Sequence, residues 1–143
     1  MVEPRSLHRT VGYLLGQATH ALSKDFDAQV RAAGLSAIEW RVLATLCEAG
    51  PLTITQLARE VLAKQPTLTK LAQRMGEQGW VALNADPADQ RRTVVEATRA
   101  GKRLATPLID RERAHETDRL RALGAGERAA LKKLLVKLTR GSA

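Results

Sequence analysis

Apolar residues recur at three- and four-residue steps along the first part of the chain: Leu7, Val11, Leu14, Leu15, Ala18, Leu22, Phe26 and Val30. That is the period of an amphipathic helix, and Gly34 supplies a left-handed stop. The spacing predicts a helix over about residues 6–33, roughly 40 Å long at about 1.5 Å per residue. A short chain has few residues of its own to lay over so long a stripe, so a second subunit is the expected cover.

Ser36, with Glu39 three residues on, reads as a capping box. It opens a helix carrying Ile38, Trp40, Val42, Leu43, Leu46 and Cys47, which Gly50-Pro51 breaks. Thr53 and Gln56 repeat that signature ahead of Ile54, Leu57, Ala58, Val61 and Leu62. After a tight turn at Ala63-Lys64-Gln65, Pro66 stands where a first helical residue tolerates proline. Leu68, Leu71, Ala72 and Met75 then carry the stripe to Gly79.

The period now changes to an extended one. Trp80-Val81-Ala82-Leu83 is short and apolar, Asp86-Pro87-Ala88-Asp89 is turn chemistry, and Thr93-Val94-Val95-Glu96-Ala97 reads as a second strand. Together they predict a hairpin with a charged tip from Asp86 to Arg92. Thr98 caps a further helix over about residues 99–122, with Leu104, Leu108 and Ile109 inward and Pro107 expected to kink or shorten it. Gly124 to Gly126 is a break, and Leu131, Leu134, Leu135 and Leu138 mark a last helix.

The predicted fold is mainly α with a small β-hairpin wing: a winged helix-turn-helix with helical arms from both termini. The expected divisions are residues 1–34 for the N-terminal helix, 35–98 for the winged helix-turn-helix DNA-binding region and 99–143 for the C-terminal helices. An α-helix fits the DNA major groove, and polar side chains near its start reach base edges. The second helix of the pair offers Gln65, Thr67, Thr69 and Lys70 in its first turns, then Gln73 and Arg74. Glutamine can bond adenine in bidentate fashion, and threonine brings a hydroxyl and a methyl. Thr53 and Lys64 join them as candidate contacts, and so do Asp89, Arg91 and Arg92 of the wing tip. On an extended strand Asp89 and Arg91 share a side, so the carboxylate can orient a guanidinium suited to the negative potential of a narrow minor groove. Arg92 would point the other way, towards phosphate. The plainer readings are a solvated helix face and a surface ion pair worth about 0–1 kcal/mol.

Composition adds less. Of 143 residues, 44% are apolar and 27% charged, and the four aromatic residues are Tyr13, Phe26, Trp40 and Trp80, so helices packed with Leu, Ala and Val are expected. The net charge of +8 suits a polyanionic partner, yet residues 99–143 hold twelve basic and five acidic side chains, while residues 59–98 hold six and five. The excess therefore lies outside the predicted reading segment. Cys47 is the one cysteine, which excludes an internal disulfide framework. No cluster has zinc-ligand spacing, and no cofactor is expected. No signal peptide and no apolar run near the ~18 residues of a membrane span is present, so a cytoplasmic protein without a membrane partner is expected. A glycine-rich phosphate loop, a catalytic triad order and a carboxylate pair in an apolar frame are missing too, so no enzyme is predicted.

Several stretches in order resemble the MarR family of bacterial regulators. They are Leu35-Ser36-Ala37-Ile38-Glu39-Trp40-Arg41-Val42-Leu43, Thr53-Ile54-Thr55-Gln56-Leu57-Ala58, Gly79-Trp80-Val81, Asp86-Pro87-Ala88-Asp89-Gln90-Arg91-Arg92 and Thr98-Arg99-Ala100-Gly101. The resemblance covers about residues 35–104. It implies a homodimer held by the first, fifth and sixth helices, which makes residues 1–34 and 99–143 helical dimerisation arms from both termini, with residues 65–78 as recognition helix and Asp89 and Arg91 as the wing motif. Double-stranded DNA with a near-palindromic operator is the implied partner, and repression relieved by a small aromatic or anionic effector is the implied activity. The chain departs from the pattern at Leu83 and Asn84, where basic residues are common, at Gln90 in place of Arg, and at Ala97 in place of Leu. Fewer wing charges imply a modest salt dependence of binding.

Two switch chemistries compete. Cys47 has no basic residue within a turn in sequence to make it reactive, so it reads as a small buried hydrophobe. Tyr13, Gln17 and His20 share one side of the first helix, and Trp40 and Arg41 open the second. An arginine with aromatic neighbours would suit a small aromatic carboxylate. In the plainer reading Trp40 is core and Arg41 solvated. His8 and His115 are expected on the surface. The main rival to a DNA reader is a winged helix used as a protein-docking module.

Overall fold

The computed structural model describes residues 10–140; Leu7, His8 and the expected first turn of the opening helix lie outside the described residues. The chain runs α1 (Val11–Ala32), α2 (Ala37–Ala49), β1 (Leu52–Thr53), α3 (Ile54–Glu60), α4 (Gln65–Glu77), β2 (Val81–Ala85), β3 (Thr93–Ala97), α5 (Arg99–Arg119) and α6 (Ala125–Arg140), with a single 3-10 turn at Leu120–Ala122 between the last two helices.

The expected start and stop signals operate. In α2 the Ser36 hydroxyl accepts from the Glu39 amide at 3.2 Å, and the Glu39 carboxylate accepts from the Ser36 amide at 2.8 Å. Thr53 and Gln56 make the same reciprocal pair in α3, at 3.2 and 3.0 Å. Each cap satisfies amides that the first turn leaves without helical partners, and is worth about 1 kcal/mol. Gly34 turns the chain out of α1 with φ +87°. Pro107 does not interrupt α5. Pro107 stands on the exposed face of the helix, where a carbonyl left without its helical donor can turn to water.

The sheet has three strands in the order β1-β3-β2, all antiparallel. Sequence reading missed β1, because two residues beside a proline carry no period. Leu52 pairs with Val95 and Thr53 with Val94, which ties the start of α3 to the root of the wing. Leu83 also pairs with Val95, on the far side of β3.

The core gathers Leu43, Leu46, Leu57, Leu68, Leu71, Met75, Val95 and Leu108 between α2, α3, α4, the sheet and the first half of α5. Leu104 and Ile109, expected inward, are partly buried against it. Only Phe26 and Val30 of α1 are buried, and α6 buries none of its residues. Val11, Leu14 and Leu15 on α1 and Leu131, Leu134, Val136 and Leu138 on α6 face solvent instead. The stripes read from the sequence at both ends are therefore real helix faces that this single chain does not cover.

Candidate nucleic-acid interface and adjoining cavity

α4 buries Leu68, Leu71, Ala72 and Met75 and turns Thr67, Lys70, Gln73, Arg74 and Glu77 to a shallow concave outer surface. Its first turn has no side-chain cap: Lys64 occupies the N-cap position and bonds no amide with its side chain. The free amides and the positive end of the helix dipole are left for an acceptor from outside. Gln65 is the first residue of α4 rather than the end of the turn before it. Its side-chain oxygen accepts from the Thr55 hydroxyl at 3.4 Å. The Thr69 hydroxyl donates back to the Gln65 carbonyl at 3.0 Å. Thr53 lines the groove between α4 and the wing, but its hydroxyl is engaged as the cap of α3.

The turn leading into α4 contains the one described non-glycine residue with positive φ, Leu62, at +58° and 88% exposed. The left-handed conformation sends the chain sharply from α3 into α4 and costs a leucine about 1–2 kcal/mol.

The wing tip differs from the extended strand expected for it. Residues 86–92 form a turn closed by its own backbone: the Asp86 amide donates to the Arg92 carbonyl at 2.9 Å, and the Arg92 amide to Asp89 at 2.9 Å. Asp89 Oδ1 accepts both the backbone amide and Nε of Arg91, each at 3.1 Å, and Oδ2 accepts Nη2 at 3.5 Å. The carboxylate thus orients Arg91 by folding the turn around itself, not by strand alternation. Arg92 does not point the other way, since its Nε stands 3.7 Å from Asp89 Oδ2. Hydrogen bonds from the Arg91 side chain and backbone, with the Arg92 charge beyond them, hold the Asp89 carboxyl below the usual carboxylate range. The Arg91 side chain is nevertheless 91% exposed: it is held at one edge and open to a ligand at the other.

Behind this lobe, α1, α2 and α5 enclose a cavity of about 520 Å³. Phe26 and Trp40 form its aromatic wall in an edge-to-face pair, with ring centroids 5.4 Å apart. Trp40 is buried and Arg41 exposed, as the plainer reading expected, yet both line the cavity. Tyr13, Gln17 and His20 do not line it and are exposed on α1. Thr19, Leu22, Ser23, Phe26 and Asp27 do so instead. At about 100° per residue the expected trio lies roughly a third of a turn round the helix from them. His115, expected on the surface, is half-buried against Phe26, with ring centroids 6.3 Å apart. Its Nε2 donates to the Leu22 carbonyl at 2.8 Å, which joins α5 to α1. An ion pair between Arg119 and Asp25 makes the same connection further along. Sequence spacing could not have found His115, because its partners lie on another helix far away in the chain. Cys47 is partly buried and its thiol is pushed up, chiefly by desolvation and against the nearby Lys102 charge. Such a thiol is a poor redox sensor. No metal-binding cluster of His, Cys, Asp or Glu occurs among the described residues, and no described helix is long and apolar enough to cross a membrane.

Two helices joined by a sharp turn, the second with an open polar face, beside a hairpin with an oriented arginine define a winged helix-turn-helix DNA-binding regulator. The family model described as the MarR family matches residues 33–92. The HTH-type transcriptional repressor NicR of Pseudomonas putida is 30% identical over 94% of this chain and 85% of its own length. The MarR family transcriptional regulator SPO1453 of Silicibacter pomeroyi is 34% identical, with a TM-score of 0.83 over 96% of this chain and 98% of that one. NadR, solved in complex with 4-hydroxyphenylacetate, is 27% identical, with a TM-score of 0.85 over 96% and 97% of the two chains. The chain belongs to the MarR family. It is a transcriptional regulator that binds DNA, and not an enzyme.

Proposed function

We propose that this protein is a cytoplasmic, effector-responsive repressor that binds a near-palindromic operator as a homodimer. Residues 65–78 would lie in the major groove, with Thr67, Lys70, Gln73 and Arg74 facing the DNA. Gln65 and Thr69 would border the groove between α4 and the wing, alongside Thr53. Lys64 and the uncapped start of α4 would take a phosphate, and Arg91 would reach the minor groove from its Asp89 support, with Arg92 at the flanking backbone.

The observation that carries this reading is the state of Arg91, 91% exposed while Asp89 holds its guanidinium. An arginine ordered in advance loses little freedom on binding. The apolar faces of α1 and α6 support pairing of residues 1–34 and 99–143 with those of a second copy. Repression is supported by the activity named for NicR, and response to a small aromatic compound by the ligand named for NadR, together with the aromatic-walled cavity here.

The test is retardation of the DNA upstream of the protein's own gene. Wild-type protein should shift it at nanomolar to micromolar concentration, and Arg91→Gln should weaken the shift by about tenfold, the order of one lost charged contact. Equal retardation by both would remove the wing from the interface. No retardation of any neighbouring intergenic fragment would favour a protein-docking role.

A further inference from the structure

The cavity beneath Trp40 carries a balance of charge that an aromatic acid alone does not answer. Asp27 of α1 and Glu112 and Glu116 of α5 all line it, opposed by one guanidinium, Arg41 of α2. None of these four side chains makes an ion pair or a side-chain hydrogen bond with another described residue. Two arginines of α5 are engaged elsewhere, Arg113 with Glu48 at 3.6 Å and Arg119 with Asp25. The His115 Nε2 proton is held by the Leu22 carbonyl. A bound carboxylate would gain Arg41 and meet three like charges in one enclosed space, where Coulomb interactions are several times stronger than in water.

We propose that the effector is an aromatic zwitterion: its ring stacks in the Phe26–Trp40 angle, its acid group faces Arg41, and a protonated nitrogen is held by the carboxylates of Asp27, Glu112 and Glu116. This rests on the effector-responsive reading above and names the ligand chemistry of that cavity. The volume of about 520 Å³ accommodates one or two rings with substituents. Apolar side chains at Leu22, Phe26, Ala37 and Trp40 supply the hydrophobic surface, and the charges stand on three different helices around it. Burial pushes the Glu112 carboxyl above the usual range, and the like charges of Glu116 and, outside the cavity, Glu48 add to it. A cationic nitrogen removes that repulsion, and an anion adds to it. The same charges disfavour a nitrogen-free aromatic acid relative to its zwitterionic counterpart, so the cavity selects by sign as well as by shape.

The test is calorimetric titration of the full-length protein with two matched pairs. Phenylalanine is compared with hydrocinnamate, which lacks only the amine. Para-(aminomethyl)benzoate is compared with para-toluate in the same way, its two charges at opposite ends of the ring. In at least one pair the zwitterion should bind about tenfold more tightly than its nitrogen-free partner, the order of one charge-assisted hydrogen bond. Glu112→Gln and Asp27→Asn, which keep side-chain shape, should each narrow that ratio, and Arg41→Gln should weaken both members of the pair. Nitrogen-free acids binding as tightly as the zwitterions in both pairs would overturn the proposal and leave the effector reading standing. Binding of none of the four, with operator retardation unaffected by all of them, would remove both.

Discussion

Gly101, in the first turn of α5, lies directly under the main-chain carbonyl of Trp80: a Cβ on Gly101 would overlap that oxygen and stand 3.2 Å from Leu43 Cδ2. The contact locks the base of the wing to the start of α5. The Thr98 amide donates to the same Trp80 carbonyl at 3.0 Å, and the Thr98 hydroxyl to Gly79 at 2.5 Å. Gly101→Ala should therefore destabilise the fold by about 1–3 kcal/mol, the usual cost of overpacking. Urea denaturation should show a lower midpoint with an unchanged slope. A midpoint equal to wild type would mean that the α5 start and the wing root are not rigidly joined.

Leu62 offers the opposite case. Its left-handed φ of +58° is a conformation glycine adopts freely, and its 88% exposed side chain contributes little packing. Leu62→Gly relieves about 1–2 kcal/mol of backbone strain and returns about 0.5–1 kcal/mol through the greater freedom of the unfolded chain. The net expectation is a small rise in thermal midpoint. A fall would show that the leucine side chain has a partner of its own.

At the wing, Asp89→Asn separates orientation from charge. The variant gains one unit of positive charge, which by counterion release alone would tighten DNA binding. If the carboxylate acts by holding Arg91, binding should instead weaken, by about tenfold. Tighter binding by Asp89→Asn would sink the orienting role. The pH dependence carries the same sign: with its folded pKa depressed, Asp89 contributes above the usual carboxylate range and loses that contribution only as pH falls through the lowered value. DNA affinity referred to Asp89 should therefore be flat from neutral pH down into the mildly acid range.

Glu112 titrates in the other direction. Its raised folded-state pKa means that its contribution to stability is complete below the ordinary glutamate value and declines as pH rises through the raised one. Glu112→Gln should melt at a higher temperature than wild type at neutral pH, and the gap should close on acidification. A gap that widens in acid would contradict the repulsion described for the cavity.

The exposed stripe on α1 and α6 predicts a dimer of twice 15.6 kDa by light scattering at micromolar concentration. Leu134→Glu, in the middle of α6 and 58% exposed in the single chain, should shift that mass towards the monomer and weaken operator binding in parallel. A monomeric wild type would leave both stripes without an explanation.

Local signals determined much of this molecule. Ser36 with Glu39, Thr53 with Gln56, Gly34 and Gly79 set helix boundaries, and the change of period after Gly79 marked the wing, because caps and turns depend on neighbours within four residues. Those signals, with the order of motifs, were enough to identify the family and its winged helix-turn-helix. Tertiary structure alone decided which faces meet. It added the two-residue strand that ties α3 to the wing, turned both Arg91 and Arg92 onto Asp89, and brought His115 to Leu22 and the acids of α5 to Arg41 and Trp40. Each of these depends on the rotation of one helix or turn against another, which is set by packing across distant parts of the chain and leaves no periodic trace in the residues themselves.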